Sequence, residues 1–587
     1  MGRRLAFSAA WAILAVPVAL PVFRAGEPGD RSPVWDVASH ALNGLRLSDA
    51  IAGVRPLAFL EELVIPHHYP PGHSILQAPF FLAMGRSWAA PRAASAAALV
   101  VLVFLAAWLA QRAGSDDAFG TVAVVAAVAS SPRLLLHAAV PMLEIFAALG
   151  FVFFALMYAR SLEAPQDVRR ASWAGAAAAM VYLTTVNYGV ILFAAVAAYE
   201  LLRGDVRAGA RAAREFGKGY RPLNVWTVAA LLSLVVAVIV KLTGGWKGSW
   251  GSVQSVRAPV SVAAGILAVH LGVELWKRRD AVRRWPPRLK GFFWATVVPL
   301  VVWFAIYPPR FRTTLDFLEG GGATPMTLED RFLLYPRAWI GEYHLSAALG
   351  VASVLALVVT LATWKRQKEA ARVAAVLAAV ATAAVFAHPM RDLRFLVGVL
   401  PLYWILLASQ IGTWAGKRWY VSAAAGLALA ATALPARRLH RESLAPRIIS
   451  TWYADPGSAR LVEFAARGAG EVSSMRLIGT APGISWHAVE FEVRRVRRMG
   501  GFRFAKDIEH TAKTGKSARE IFDRWVAKAE ERVITVEGPP GPEATWGDTK
   551  DERAYVDLVE TCGRFRLVRE DATTVPGIRV RVWDRSR

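Results

Sequence analysis

The chain has 587 residues, of which 55% are hydrophobic and 19% charged. A soluble chain carries about a quarter of its residues charged, and soluble core helices are rarely apolar all round, so a soluble enzyme is excluded. The formal net charge of +24 does not point to nucleic acid, because the basic residues sit mostly in short loops between apolar runs, where they set membrane orientation.

The first element is an apolar stretch from Leu5 to Phe23 behind Met1-Gly-Arg-Arg. Its length and the poor cleavage site after Phe23-Arg24 favour an uncleaved first span over a signal peptide. About thirteen spans are expected from apolar run length. They lie near 5–23, 88–110, 118–136, 141–159, 171–186, 188–203, 225–242, 258–276, 291–307, 341–363, 371–387, 395–412 and 418–435. The fifth and sixth are short and nearly continuous, so they read as two spans or as one broken helix. Basic loops arbitrate. With the N-terminus inside, the loops 203–221 and 277–290, rich in arginine and lysine, both fall inside only if the pair counts as two spans. The C-terminal region then lies outside.

Four segments face outward in this scheme: the long loop 24–86, the short loop 132–142, the loop 307–340, and 388–394. Long loops tend to be functional or disordered, and the first is too apolar for disorder. Within it, Ser74 to Met84 reads as a surface helix too short to cross. The expected fold class is therefore a polytopic α-helical membrane protein, residues 1–439, followed by a soluble α/β or α+β domain at 440–587. In that tail, helical periodicity appears at 458–466, 517–530 and 551–560. Extended runs appear at 475–478, 488–493, 532–536, 565–568 and 578–582. Gly479 to Ser485 contains glycines, but their spacing does not fit a dinucleotide loop.

Candidate chemistry gathers on the outer side. Asp36 lies in Trp35-Asp-Val-Ala-Ser-His40, in a loop that also holds Glu61, Glu62, His67, His68, Tyr69 and His73. Polar groups among apolar neighbours at a membrane surface tend to be functional. Glu144 opens an apolar span after Pro141-Met-Leu. The helix dipole alone would favour a carboxylate there, and a second carboxylate facing Asp36 is the functional alternative. Outward loops should be poor in arginine, yet Arg310, Arg312, Arg331, Arg337, Arg391 and Arg394 lie in them. Guanidinium forks suit phosphate, while lipid headgroup anchoring is the plainer reading. Glu62 with the outer histidines, His344 and His388 included, could form a metal site. No spacing matches a recognised ligand pattern, so no cofactor is assigned and a divalent metal is the less favoured reading. The single cysteine, Cys562, excludes an intrachain disulfide and a cysteine-based zinc site.

Taken together, the layout resembles the GT-C superfamily of lipid-dependent glycosyltransferases, most closely its protein O-mannosyltransferase and lipid A aminoarabinose transferase branch. The resemblance covers residues 5–435 and rests on several short motifs. They are Asp36 in a long first outer loop, Tyr69-Pro-Pro-Gly-His-Ser-Ile-Leu76, Pro141-Met-Leu-Glu-Ile145, Thr184-Thr-Val-Asn-Tyr-Gly189, and His388-Pro-Met-Arg-Asp-Leu-Arg-Phe395 followed by Pro401. It departs where Val37 follows Asp36, and at Asn187 and Phe395.

The resemblance implies a transferase that uses a polyprenyl-phosphate-linked sugar and passes it, with inversion, to a lipid, glycan or protein acceptor. The setting it implies is the outer face of the bacterial inner membrane. Asp36 would be the base, with Glu144 orienting it or touching the acceptor. Arg310, Arg312, Arg391 or Arg394 would meet the charge growing on the phosphate. His40, His67, His68, Tyr69, Asn187 and Tyr188 would line the substrate site. The rival reading is a transporter or flippase of a lipid or small solute. Such a protein needs polar residues near the midplane of several spans, where Asn187 and Lys241 are the main candidates. A third is a receptor or assembly protein acting through its tail.

Overall fold

The computed structural model describes residues 19–64, 70–115, 131–203, 224–243, 246–248, 251–253, 285–306, 328–340, 342–344, 347–388, 392–415, 446–468, 474–479, 481–497, 503–505, 517–527, 532–539 and 549–586, with isolated residues between them. The expected span at 418–435, most of those at 5–23 and 258–276, and nearly half of that at 118–136 lie outside the described residues.

Three helices fill the first loop: α1 (Trp35–Ala52), α2 (Pro56–Val64) and α3 (Gly72–Met84). The last covers the expected surface helix and starts two residues earlier. At 13 residues it extends about 20 Å, short of the roughly 30 Å hydrocarbon core. The chain then runs through α4 (Ala89–Ala113), α5 (Pro132–Ala138), α6 (Leu143–Glu163), α7 (Val168–Thr184), α8 (Val186–Arg203) and α9 (Val225–Thr243). A two-stranded hairpin follows, β1 (Trp246–Gly248) and β2 (Gly251–Val253). Next come α10 (Pro287–Ile306), α11 (Leu328–Trp339), α12 (Ala347–Ala362) and α13 (Glu369–Ala387). A 3-10 turn, Leu393–Leu396, leads into α14 (Leu400–Ala415).

Five helical stretches among the described residues are long and apolar enough to cross a bilayer: Ala89–Ala113, Leu143–Glu163, Val186–Arg203, Glu369–Ala387 and Leu393–Ala415. The protein is an integral membrane protein. Two kinds of helix surface bear this out. Phe151, Phe154, Leu402 and Trp404 are fully buried where α6 and α14 meet their neighbours. Leu231, Leu232 and Val235 on α9, Val301 and Val302 on α10, and Val351, Leu355 and Val358 on α12 are exposed. Water would disfavour such continuous apolar faces, whereas lipid accepts them.

The disputed fifth and sixth runs are two helices. Thr185 between them is extended, with φ −157° and ψ 128°, and the chain turns sharply. Rings of Tyr182 and Phe193 stand 6.2 Å apart, whereas eleven residues of unbroken helix would span about 16 Å. Gly189 makes the corner possible, since a Cβ there would sit 2.6 Å from the Tyr182 Cα. Small residues also bring α7 onto α10. A Cβ on Gly175 would fall 2.3 Å from the Phe292 carbonyl oxygen, and one on Gly291 2.5 Å from that of Val168. Close backbone approach of this kind is how helices associate without a hydrophobic drive between them.

At one end of this bundle lies a polar cluster. Arg288 of α10 pairs with Glu200 of α8, and the Tyr158 hydroxyl of α6 donates to the same carboxylate. Beside it the Tyr199 hydroxyl donates to Glu369, which also faces Arg372 at 3.6 Å. Two arginines thus meet two glutamates.

The C-terminal unit joins the opposite end of the bundle. It holds a helix at 446–452, then α15 (Ser458–Gly468), β3 (Ser474–Ile478), α16 (Trp486–Arg497), β4 (Arg503–Ala505), α17 (Ala518–Ala527), β5 (Arg532–Glu537), α18 (Thr549–Thr561), β6 (Phe565–Asp571) and β7 (Arg579–Arg585). The sheet order is β4-β3-β5-β7-β6. Strand β3 runs parallel to β4 and β5, and β7 runs antiparallel to β5 and β6. Two apolar clusters cover the sheet, one built on Leu461, Ala488 and Val582, the other on Phe522, Tyr555 and Trp583.

One expected strand is a helix. The run Ala488 to Val493 lies inside α16. Its apparent alternation arises because this helix is buried on two sides. Val489 and Val493 face the sheet cluster, while Phe491 joins Leu42, Leu45 and Phe81. Glu490 and Arg494, four residues apart, pair along the helix, a spacing that only a helix brings together.

Candidate active site

Arg394 stands at the centre of the site. It lies in the 3-10 turn Leu393–Leu396, whose start is capped by Asp392: the Asp392 carboxylate accepts from the Arg394 backbone N–H at 2.9 Å. The same carboxylate meets Arg394 Nε at 2.7 Å. Arg394 Nη1 donates to Asp36 Oδ2 at 2.8 Å. Glu144 Oε1 lies 3.8 Å from Nε. Residues 36, 144 and 394 come from the start of α1, the start of α6 and the turn before α14. Both carboxylates occupy first helical turns, where the exposed N–H groups and the helix dipole favour negative charge.

Three tyrosines hold the turn that carries the arginine. The Tyr335 hydroxyl donates to the Asp392 carbonyl at 3.2 Å, and that of Tyr343 donates to the Leu393 carbonyl. Tyr188, from the far side, donates to the carbonyls of Arg394 and Phe395 at 3.1 and 3.0 Å. The Asp392 and Arg394 carbonyls also accept from the Phe395 and Val397 N–H groups inside the turn. Phenols from three parts of the chain thus add to four consecutive carbonyls.

Behind Glu144 sits His137 at the end of α5, with Nδ1 3.3 Å from Oε2. Its ring faces the edge of Trp452, 5.4 Å away, at the root of the C-terminal unit. On the other flank His40 is buried one turn beyond Asp36. Its ring meets His73 edge-on at 5.1 Å, and His73 Nε2 lies 3.0 Å from the Gln77 amide nitrogen. Burial pulls both imidazoles below their ordinary range, His73 furthest, against the raising influence of Asp36 and Glu144 on His40. They are neutral rings, able to donate or accept one hydrogen bond at each nitrogen.

The site is unevenly charged. Three carboxylates around one guanidinium leave a formal charge of −2 among the described residues. Asp36 is a quarter exposed, while Glu144 is buried. An accessible carboxylate beside a buried one can exchange a proton with a ligand, while the buried one holds its neighbours in place.

Of the residues singled out from sequence, the structure brings together Asp36, Glu144, His40, Tyr188 and Arg394. Asn187 lies next to Tyr188, its amide oxygen buried with no hydrogen-bond partner among the described residues. His67, His68, Tyr69, Arg310, Arg312 and Arg391 lie outside the described residues, as does the side chain of Arg331. Among the described residues no group of three His, Cys, Asp or Glu is arranged to hold a metal. Sequence reasoning missed His137, Asp392, Tyr335 and Tyr343. A faint signal existed for two of them: His137 and Glu144 flank one short loop, and an aspartate two residues before an arginine suits a turn cap.

The fold is similar to that of ArnT over nearly the whole chain. ArnT from Cupriavidus metallidurans, solved in the apo state, superposes with a TM-score of 0.53 at 13% identity, covering 98% of each chain. The same protein bound to undecaprenyl phosphate gives 0.55 at 12% identity with the same coverage. The oligosaccharyltransferase AglB from Archaeoglobus fulgidus, in complex with an inhibitory peptide and a dolichol-phosphate, gives 0.49 at 12% identity, over 90% of this chain and 69% of that one. No protein-family model matches the chain, and no curated protein matches it by sequence.

Proposed function

We propose that this chain is a membrane glycosyltransferase that moves a sugar from a polyprenyl-phosphate-linked donor to a lipid, glycan or protein acceptor on the outer face of the membrane. The observation that carries this reading is the Asp36–Arg394 ion pair at 2.8 Å beside buried Glu144. A carboxylate that can serve as a base and a fixed cation lie within one contact of each other, at the bundle end that meets the C-terminal unit, which supports the reading. The fold shared with ArnT, one of whose structures holds undecaprenyl phosphate, supports a lipid-phosphate donor.

In this reading Asp36 takes the proton from the acceptor hydroxyl or amine as that oxygen or nitrogen bonds to the anomeric carbon. The carbon–oxygen bond to the phosphate breaks, and its electron pair leaves with the polyprenyl phosphate. Attack opposite the leaving group inverts the anomeric centre. Arg394 spends Nη1 and Nε on carboxylates and offers Nη2 to the phosphate, which Arg310, Arg312 and Arg391 also meet. A phosphate is already a good leaving group, so no strong general acid is required. Glu144, backed by His137, keeps Arg394 beside Asp36. His40, His67, His68, Tyr69, Asn187 and Tyr188 line the substrate site.

The basic loops orient the chain with its N-terminus cytoplasmic and its C-terminal unit outside, in the inner membrane of a bacterium. Transfer of a labelled sugar from a polyprenyl-phosphate donor, measured in membranes, tests the assignment. Asp36→Asn should remove transfer while leaving the protein in the membrane; retained transfer would refute Asp36 as the base.

A further inference from the structure

The helix that carries Asp36 is gripped along its whole length by the C-terminal unit. Before α1, the Val34 backbone N–H donates to the Trp452 carbonyl at 2.9 Å, and that of Ala454 to the Ser32 carbonyl at 2.9 Å. Pro33 and Tyr453 form an antiparallel bridge between them. The Ser32 N–H donates to Ser458 Oγ at 2.8 Å. A short two-stranded join thus ends two residues before the aspartate.

Three consecutive side chains then go to three places. Asp36 meets Arg394. Val37 belongs to the core of the membrane helices. Ala38 belongs to the core of the C-terminal unit, with Leu461 and Ala488. One turn on, Ala41, Leu42 and Leu45 pack on Phe491 of α16, whose ring stacks on Trp88 at 3.8 Å.

Near its far end α1 is held by charge. Arg46 grips Glu490 of α16 through two donors, with Nε at 2.9 Å, and both side chains are almost wholly buried. Arg494 pairs with the same glutamate and approaches Asp49 Oδ2 at 3.7 Å. Asp49 also takes Arg86 at 2.8 Å, while Arg86 donates to the Arg494 carbonyl. Burying this many charges is costly unless the geometry is held, and a bidentate guanidinium–carboxylate pair fixes orientation as well as distance.

We propose that the C-terminal unit is a positioning element for the reaction: by clamping α1 at both ends it sets the rotation and height of the helix, and so the place of the Asp36 carboxylate against Arg394. Glu490 and Arg46 are positioning residues that touch no substrate. This rests on the reading of Asp36 as the base.

The test uses the full-length protein in detergent and in membranes. Hydrogen exchange is followed over residues 36–46, and kcat and KM are measured for a polyprenyl-phosphate-linked sugar. Glu490→Gln should speed exchange over 36–46 at least tenfold and lower kcat about tenfold, with donor KM within twofold. Arg46→Lys, which keeps the charge, should recover kcat to within about threefold of the parent. Ser458→Ala is a milder second variant, used where Glu490→Gln does not accumulate, and should speed exchange at 32–37. Unchanged exchange over α1 in a folded variant overturns the proposal. So does faster exchange with unchanged kcat where Asp36→Asn is inactive. Should Asp36→Asn stay active, the functional reading fails instead, and exchange alone then decides whether the C-terminal unit holds α1.

Discussion

Two polar clusters sit at opposite ends of the same helices, and they are built to different rules. Helix α6 belongs to both: it gives Glu144 to one and Tyr158 to the other, about 21 Å along its axis. Around Tyr158, two arginines meet two glutamates, and two tyrosine hydroxyls close the gaps. Around Glu144, among the described residues, three carboxylates share one arginine. A balanced cluster is a pin whose members satisfy one another. An unbalanced one carries net negative charge among the described residues. Residue types and exposure do not separate the two clusters, since Glu200 and Glu369 are as open as Asp36; the ratio of acids to arginines does.

Substitutions can break that contrast, and the largest effects belong at the unbalanced end. Asp36→Asn should lower kcat about 10³-fold, the usual scale for a lost general base. Arg394→Gln should cost about 10²-fold, with the protein still folded in the membrane. If both variants transfer sugar at the parental rate, the unbalanced cluster is no more than a second pin.

Glu200→Gln should do the reverse. It leaves Arg288 partly buried without its counter-charge, so the thermal midpoint in detergent should fall, by about 2 kcal/mol of stability. Here kcat measured below the transition should stay within twofold. Tyr188→Phe is smaller and sharpens the division further. It removes the hydroxyl that holds the Arg394 and Phe395 carbonyls, worth about 1 kcal/mol. Because that turn carries Arg394, kcat should drop severalfold alongside stability.

The last effect leaves transfer alone and concerns acid. His40 and His73 are held neutral by burial, with folded pKa values below the ordinary 6.5. The unfolded chain therefore binds more protons than the folded one below pH 6.5. Stability is full above that pH and falls as the pH drops, by at most about 1.4 kcal/mol per pH unit for each histidine. Melting in detergent from pH 7 to 5 should show this slope, and His73→Gln should flatten it.

Much of the membrane region was legible because apolar run length is a local property. Arginines in distant loops favour two spans here, and the structure has two helices that meet at a sharp corner at Thr185. The three charged residues of the site could be picked out because each breaks a local expectation: an acid among apolar neighbours, an acid opening a span, arginines on an arginine-poor side. That Asp36 and Arg394, 358 positions apart, touch was not written in any local pattern. The tyrosines of the clamp looked ordinary, since a phenol at a helix end has many uses and only packing reveals which carbonyl it meets. Helix α16 was misread for a related reason. A strand buried on one face and a helix buried on two sides share the same alternation over six residues, and only the docking of α1 distinguishes them.

The three neighbours Asp36, Val37 and Ala38, each committed to a different part of the molecule, bear on how this protein can change over time. One residue removed between Ala38 and Arg46 turns the helix by about 100° and shortens it by about 1.5 Å. The carboxylate and the Glu490 grip then no longer hold together, whatever residue was lost. Across this stretch, length is a stricter requirement than chemical identity. Sequence drift that replaces side chains along the helix leaves the Asp36–Arg394 contact standing, while an insertion or deletion of a single position undoes it.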